Sequence, residues 1–404
     1  MKVLVLNCGS SSVKYQLLEM ENESLLARGL LERIGTNDAV LTHQATGKKE
    51  VTRTFPVPDH KTAVKEVLSI LFDPAYGVIK DVTEISAVGH RVVHAGEEFS
   101  GSVLLSTEVK EALKRCIQLA PLHNPPNLLG IEAAEALLPG TPQVGVFDTA
   151  FHANMPRHAF LYALPLELYE KYGIRRYGFH GTSHRYVAAR AAELAGRNLN
   201  ELKIITCHLG NGASITAIDG GQVADTSMGF TPLEGLVMGT RCGDLDPAII
   251  PFLMEKEGLD IAGINRLINK GSGLLGLSGI SNDMREIEEA AEKGSTRAVD
   301  ALNVLVHRLR KYIGAYAAVL DGVDILVFTA GIGENSVKVR SLVCQGFSYL
   351  GLYIDEEKNR SPKKEKEIST PDSRVKVYVI PTNEELVIAR DAAEIVSSLG
   401  QAPK

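Results

Sequence analysis

Four short segments set an arginine or histidine among glycines or polar residues. They are Gly89-His90-Arg91, Leu122-His123-Asn124-Pro125-Pro126, Phe179-His180-Gly181 and Gly239-Thr240-Arg241-Cys242-Gly243. Cations and imidazoles placed where the backbone is uncovered suit an anion whose charge must be held through a reaction. Each has a plainer reading. Arg91 near a loop is ordinarily a solvated charge, and His180 between Phe and Gly is more often a hydrogen-bonded structural residue. His123 is read as organising the Pro125-Pro126 turn. Arg241 stands out because its flanking glycines allow close backbone approach. Two carboxylates and an amide complete the set. Asp148 follows a strand and would ordinarily be a turn or cap carboxylate. Glu384 opens the last helix, where the dipole favours negative charge. Asn7 ends the first strand and could be a turn former.

Phosphate-binding signals lie in three glycine turns. Gly9-Ser10-Ser11-Ser12 carries hydroxyls, with Lys14 two residues on, and Gly210-Asn211-Gly212-Ala213-Ser214 follows His208 and Leu209. Such turns bring bare N–H groups against anionic oxygens. The third is Asp324–Ser336, a buried strand running into Gly331-Ile332-Gly333-Glu334-Asn335, the strand-to-helix form of an anion or nucleotide site. A Rossmann reading fares poorly, because Ser336 stands where the third glycine belongs. Neither a Walker A sequence nor a protein-kinase H-R-D loop occurs. Asp283 with Glu286 three residues on fits a capping box as well as it fits nucleotide contact by Asp283, Met284 and Arg285.

The elements that must position these residues alternate between strand and helix, so the class is α/β. Strands are expected at Lys2–Leu6, Val13–Glu19, Ala87–Val93, Gln143–Phe147, Lys203–Leu209, Ile215–Asp219, Asp324–Phe328 and Val375–Ile380. Helices are expected at Lys61–Leu71, Leu128–Leu138, within Pro247–Leu267 and Met284–Leu320, and at Glu384–Leu399. Gly271–Gly279 reads as a glycine-rich connection and Glu356–Arg374 as a solvated charged loop. Gly210 comes 201 positions after Gly9, each within a strand–turn–strand hairpin. Two related domains follow, with boundaries at 1–150 (joined by 385–404) and 151–384.

The 404 residues allow two or three domains, and 45% apolar with 23% charged residues is a globular composition. A net charge of −6 disfavours nucleic acid and anionic membrane surfaces as partners. Five scattered cysteines without a C-x-x-C pair argue for free thiols and against a zinc site. No apolar run is long enough to span a bilayer, and Met1–Asn7 runs into a strand rather than a leader. A cytoplasmic protein is expected.

Asn7-x-Gly9-Ser10-Ser11-Ser12-x-Lys14 and Gly178-Phe179-His180-Gly181-Thr182-Ser183-His184 resemble the two signature segments of the acetate kinase family. The resemblance runs from the first residues to Pro381-Thr382-Asn383-Glu384-Glu385. Cys8 departs from the serine or other small residue frequent there. The resemblance implies two related actin-like (ribonuclease H-like) domains with a nucleotide cleft between them, in a homodimer. It implies reversible phosphoryl transfer from ATP to acetate, giving ADP and acetyl phosphate, with Mg²⁺ or a substituting Mn²⁺. It implies nucleotide contacts at Ser12, Lys14, His208–Gly212, Asp283–Arg285 and Gly331–Asn335, and metal contacts at Asn7 and Glu384. It gives Arg91 to the acyl substrate, acid–base duty to Asp148, and transition-state stabilisation to His180 and Arg241. Val93, Leu122, Phe179 and Pro232 would enclose the substrate's methyl group.

The chemistry agrees in part. A carboxylate is ionised at neutral pH and needs no general base, so metal positioning suits Asp148 better than proton abstraction. What is needed is relief of repulsion between anions, hence cations. A propionate or butyrate kinase would share the chemistry in a larger pocket. A non-kinase actin-like ATPase is the reading from another class. Its chaperone members need a further substrate-binding domain, and its filament-forming members have no use for Arg91, His180 and Arg241 together.

Overall fold

The computed structural model describes residues 1–120 and 123–399, and their contacts divide the chain into two units. The first comprises Met1–Ala153 and Asn383–Lys404, the second Asn154–Thr382. Its strands are β1 (Lys2–Cys8), β2 (Ser12–Glu19), β3 (Ser24–Glu32), β4 (Thr36–Ala45), β5 (Val51–Val57), β6 (Ile85–Val92), β7 (Val103–Leu104) and β8 (Gln143–Phe147). They form one sheet in the order β5-β4-β3-β2-β1-β6-β8-β7. β1 and β6 are buried almost throughout, as strands covered on both faces are.

One face of this sheet packs on the helices His60–Phe72 and Asn124–Leu137, with Leu4, Leu6, Cys8 and Val88 in the shared core. Cys8 is buried there against Gly130, where a Cβ would come within 2.3 Å of its sulfur. The helix Glu384–Leu399 lies on the other face: a Cβ on Gly89 of β6 would meet Ile388 Cγ2 at 2.6 Å.

The second unit holds β9 (Lys203–Leu209), β10 (Ala213–Asp219), β11 (Gln222–Thr226), β12 (Ile325–Thr329), β13 (Lys366–Glu367) and β14 (Lys376–Val379) in the order β11-β10-β9-β12-β14-β13. The two sheets share a pattern. β1 runs antiparallel to β2 and parallel to β6, with β3 outside β2 and β8 outside β6. β9 likewise runs antiparallel to β10 and parallel to β12, with β11 and β14 outside them. The α/β class and the duplication read from the hairpins are therefore present as topology.

Three local expectations are corrected. Gly271–Gly279 is not merely a connection, since Gly273–Ser278 forms a helical turn with Gly273 and Leu274 buried. The cap at Asp283 is not a box: its carboxylate accepts from Arg285 N, and its own N–H goes to Ser281 Oγ rather than to Glu286. Glu356–Arg374 is not a solvated loop. It contains the helix Glu356–Arg360 and the strand β13, with Asn359, Ile368 and Ser369 fully buried.

The cause of that last difference is Arg340, a fully buried side chain whose guanidinium draws the charged segment inward. Nε donates to Asn359 Oδ1 at 2.7 Å and Nη2 to Asn359 O at 3.0 Å. Nη1 donates to Gly333 O and Glu334 O at 2.8 and 2.9 Å. All four acceptors are neutral, and burial lowers the guanidinium only to about 10, so it stays charged. Arg340→Met fills the space but orphans these carbonyls. It should cost roughly 2–5 kcal/mol, read as a lower urea midpoint with faster amide exchange at 331–335 and 356–361. An unchanged midpoint would show that the anchor contributes nothing.

Candidate active site

The first unit gathers its polar residues at the C-terminal ends of β1 and β6. Strand alternation is the reason. Leu6 pairs with His90, so Asn7 and Arg91, one step on, share the opposite face, the face covered by the helix Glu384–Leu399. Lys14 pairs with Asn7 across the hairpin and joins them. Arg91 pairs with Val146, so Asp148, two residues further along the strand direction, turns toward Arg91.

Arg91 and Asp148 form a two-pronged ion pair, Nε to Oδ1 at 3.0 Å and Nη2 to Oδ2 at 2.6 Å. Asp148 is all but inaccessible, while Arg91 retains 23% side-chain exposure. Burial pushes the Asp148 carboxyl up to about 6; Arg91 opposes that, and Glu384 adds to it. Burial works against the Arg91 charge, but Asp148 and then Glu384 more than offset it, so its value is raised. Glu385 takes the Lys14 ammonium in an ion pair. Asn383 caps the helix that carries both glutamates, accepting from Leu386 N at 3.2 Å.

Asp148 is therefore neither a helix cap nor a lone carboxylate. Val93 lies just past the end of β6, buried, with its N–H on Asn127 Oδ1 at 3.1 Å. His123 occupies the cap position of Asn124–Leu137, ahead of the two prolines. Leu122 lies outside the described residues.

The second unit builds around the β9–β10 turn. Gly210 N–H bonds Gly212 O at 3.0 Å, closing the turn. Gly239 N–H bonds Asn211 O at 3.0 Å, and Asn282 Nδ2 donates to Asn211 Oδ1 at 3.0 Å. These bonds tether the Arg241 loop and the residue before Asp283 to the turn. Glycine is required where elements meet. A Cβ on Gly239 would lie 1.9 Å from Asn211 Oδ1, and one on Gly212 would lie 2.8 Å from Arg241 Nη2 and 3.4 Å from His180 Nε2.

Arg241 donates Nη1 to Pro232 O at 2.5 Å. No carboxylate pairs with it among the described residues, and burial alone acts on its charge, lowering its value. His180 and His208 stack with ring centroids 4.1 Å apart at 23°. His180 precedes the helix Gly181–Ala195 in a left-handed conformation with φ 58°. Its Nδ1 lies 3.0 Å from Ser214 Oγ, and His208 Nδ1 lies 2.8 Å from Ser183 Oγ. Phe179 is buried beside them.

The segment Ala330–Asn335 begins at the end of β12, next to the same turn: a Cβ on Gly333 would lie 3.6 Å from Cys207 O. Arg285 chelates Asp283, which is held down to about 2, and Met284 is buried. Thus His180, His208–Gly212, Pro232, Arg241, Asp283–Arg285 and Gly331–Asn335 belong to one unit. Asn7, Ser12, Lys14, Arg91, Val93, Asp148 and Glu384 belong to the other.

Sequence reasoning gave no individual role to Glu385, Ser183, His184, Thr206 or Ser214, although all but Thr206 were named within motifs. His184 and Ser183 were legible, since a helix that opens Gly-Thr-Ser-His turns polar groups inward where an apolar face belongs. Thr206 sits in an apolar strand and gives no such signal.

Hard oxygen donors suit a divalent ion of the magnesium type, which takes one or two carboxylates and keeps waters. Among the described residues no group of three or more His, Cys, Asp or Glu could hold a metal, and an ion bound through one or two carboxylates needs no such group. The residues present fit: Glu384 presses on the buried Asp148 carboxyl, and a dication would relieve that repulsion.

Two sheets of one pattern, each with a central strand antiparallel to its hairpin partner and parallel to the strand on its other side, define the actin-like class. The model of the acetokinase family matches residues 2–390, and the chain belongs to that family. It is 61% identical to an acetate kinase of Alkaliphilus metalliredigens over 396 residues, 98% of this chain and all of that one. It is 58% identical to one of Methanosarcina thermophila, covering 98% of each. Among solved structures, an acetate kinase of Porphyromonas gingivalis superposes with a TM-score of 0.94 at 53% identity, over 98% of this chain and 99% of that one. A propionate kinase of Francisella tularensis does so with 0.91 at 42%, over the same shares. Membership brings ATP or ADP as co-substrate and a divalent metal requirement. No described helix is long and apolar enough to cross a membrane.

Asp148 supports a prediction that does not depend on activity. Its folded value lies above the ordinary 3.8, so the folded state holds the proton more tightly than the unfolded chain. Its contribution to stability is full below about pH 4 and is lost as pH rises through about 6. Asp148→Asn has no charge to bury. The stability difference, variant minus wild type, should therefore rise across that window in urea titrations. A flat difference would mean that Asp148 titrates at its ordinary value.

Proposed function

We propose that the chain transfers the γ-phosphoryl group of ATP to acetate, reversibly, giving acetyl phosphate and ADP. The observation that carries this reading is the contrast between two half-buried arginines. Arg91 has a carboxylate on its fork, whereas Arg241 stands at the phosphate turn with one carbonyl and no acid. A guanidinium with one carbonyl acceptor and no acidic partner leaves most of its five N–H donors unmatched as it is taken from water, and an anionic ligand would complete them.

In the step itself, an acetate oxygen forms a bond to the γ-phosphorus as the bond to the bridging oxygen of ADP breaks. The electron pair leaves with ADP, and no proton moves. Arg241 and His180 stabilise the equatorial oxygens of the transferring group. His208, Leu209, Gly210, Asn211 and Gly212 hold phosphates, and Asp283–Arg285 with Gly331–Asn335 hold the rest of the nucleotide. Ser12 and Lys14 also serve the nucleotide, Lys14 by exchanging Glu385 for phosphate. Arg91 receives the acetate carboxylate, with its guanidinium fixed in plane by Asp148. Holding Arg91 stands here in place of the metal positioning expected of Asp148, since both of its oxygens accept from Arg91, and an acetate already ionised needs no proton abstraction. Asn7 and Glu384 would hold Mg²⁺, with Mn²⁺ able to substitute, and the ion would supply positive charge against the polyphosphate. A cytoplasmic homodimer is the form proposed for the working enzyme.

Hydroxylamine added to enzyme, ATP, Mg²⁺ and acetate should trap the acyl phosphate as hydroxamate. ATP loss without hydroxamate would point to an ATPase instead. Arg241→Ala should lower kcat roughly 10²–10³-fold with little change in KM for ATP. An undiminished kcat in the folded variant would remove Arg241 from the mechanism.

The fold does not separate acetate from propionate, since a propionate kinase superposes nearly as well as an acetate kinase. Val93, Leu122, Phe179 and Pro232 are proposed to enclose the methyl group. A methylene in an apolar pocket is worth roughly 1–3 kcal/mol. Val93→Ala should therefore raise the propionate-to-acetate ratio of kcat/KM by about tenfold. A ratio held at its wild-type value would take Val93 out of the pocket.

A further inference from the structure

The helix Asn124–Leu137 turns two asparagines inward where a buried face would ordinarily be apolar. Asn124 and Asn127 are three positions apart, so they share a face, and both are buried. Gly130, three further on, continues that face and lets the helix close on Cys8 at the end of β1. Pro125 and Pro126 stand in the first turn, where the N–H that proline lacks has no intrahelical partner. A buried amide is costly unless it is hydrogen-bonded, so each asparagine must be matched.

What they hold is backbone that the sheet no longer holds. β6 ends at Val92, whose carbonyl accepts from Asp148 N at 3.0 Å. Val93 and His94 lie past that end. Val93 N–H donates to Asn127 Oδ1 at 3.1 Å, and His94 N–H donates to Asn124 Oδ1 at 3.3 Å. Asn124 Nδ2 donates in return to His94 O at 3.0 Å. One side-chain amide thus pairs with both backbone groups of a single residue, as a neighbouring strand would. Asn127 reaches across instead. Its Nδ2 donates to Cys8 O at 2.8 Å, which links the end of β1 to the residue after β6. The last ladder pair between those strands is Leu6 with His90, so Asn127 joins them beyond the point where they pair.

The partners fix which way the Asn127 amide points. A backbone N–H only donates and a backbone carbonyl only accepts, so its oxygen faces Val93 and its nitrogen faces Cys8. Val93 is therefore held from behind by a side chain on a helix. A pocket that discriminates by one methylene depends on where its wall stands. Here the wall stands where Asn127 puts it.

We propose that Asn127 is a positioning residue for substrate chain length: it fixes the backbone of Val93 and, through Val93, the room left for the alkyl group of the carboxylic acid. The bond to Cys8 O ties that wall to the strand that carries Asn7. This rests on the reading of Val93 as part of the acyl pocket.

The test is a double-mutant cycle on the full-length enzyme, read as the propionate-to-acetate ratio of kcat/KM. Asn127→Ala should raise that ratio about fivefold and raise KM for acetate, with KM for ATP within about twofold. A general loosening of the fold would disturb both substrates. Val93→Ala should raise the ratio about tenfold. The double variant should stay within about twofold of Val93→Ala alone, because with the wall cut back Asn127 has nothing left to position. A ratio unchanged in folded Asn127→Ala, while Val93→Ala shifts it, would overturn the proposal. Effects that multiply in the double variant would do the same, since Asn127 would then act independently of Val93. Should Asn127→Ala fail to fold, Asn127→Ser takes its place in the cycle with the same expectations. A ratio unmoved by Val93→Ala would sink the pocket reading itself, and this inference with it.

Discussion

A guanidinium removed from water must be given acceptors, and the acceptors it is given decide what remains for a ligand. Three arginines here meet that constraint differently. Arg340 has four neutral carbonyls for its five N–H donors and is fully buried among them. Its work is structural, joining the segment after β12 to a stretch that charge alone would leave in solvent. Arg91 is matched to a carboxylate that is itself costly to bury. Its plane is fixed, yet its exposed edge can still take a second anion. Arg241 has one carbonyl and no acid. Of the three, it is the one whose electrostatics an anion would complete, and it is also the one beside the phosphate turn.

The sheets explain why these side chains fall where they do. In both units the first strand is central, with an antiparallel hairpin partner on one side and a parallel strand on the other. A parallel neighbour ends at the same edge as the hairpin turn, so residues from non-adjacent segments arrive at one edge. Asn7, Lys14, Arg91 and Asp148 are brought together in this way in the first unit. His208 and the start of Ala330–Asn335 are brought together likewise in the second, where Thr329 pairs with His208. Strand alternation then fixes the face. A one-residue slip between β1 and β6 would turn Arg91 into the apolar core and His90 out of it.

How far this was legible follows from the range of each signal. The hairpins and their repetition were readable because turn chemistry and strand pattern are local, and Lys203–Leu209, Gln143–Phe147 and Glu384–Leu399 fall where periodicity puts them. The glycine turns were readable as phosphate candidates for the same reason. The Arg91–Asp148 pair was not, because its partners are 57 residues apart and only sheet register joins them. Glu356–Arg374 was misread because its charges outnumber its buried positions. A run containing Lys, Glu and Arg looks solvated until a buried arginine elsewhere claims its asparagine. The hydroxyl of Thr206, 2.7 Å from His184 Nδ1, was invisible for a related reason, and that of Ser214 was read only as part of a glycine turn. In a strand, threonine and serine pass as ordinary interior residues until a histidine from a helix is known to reach them.

That last group bears on how such a site can be selective for a charge that is spread rather than concentrated. Cations attract any phosphate, bound or transferring, so they lower KM as readily as they raise kcat. Donors held in fixed directions discriminate better, because they reward only the geometry that meets them. In the proposed reading Arg241 would supply charge, since among the described residues its one carbonyl acceptor leaves most of its fork to a ligand. The two imidazoles would supply direction in that reading, each with Nδ1 beside the hydroxyl of a fully buried serine and stacked on the other. Neither device suffices alone. Charge without fixed donors would bind ATP tightly and transfer slowly, and fixed neutral donors without charge would not overcome the repulsion between a carboxylate and a polyphosphate.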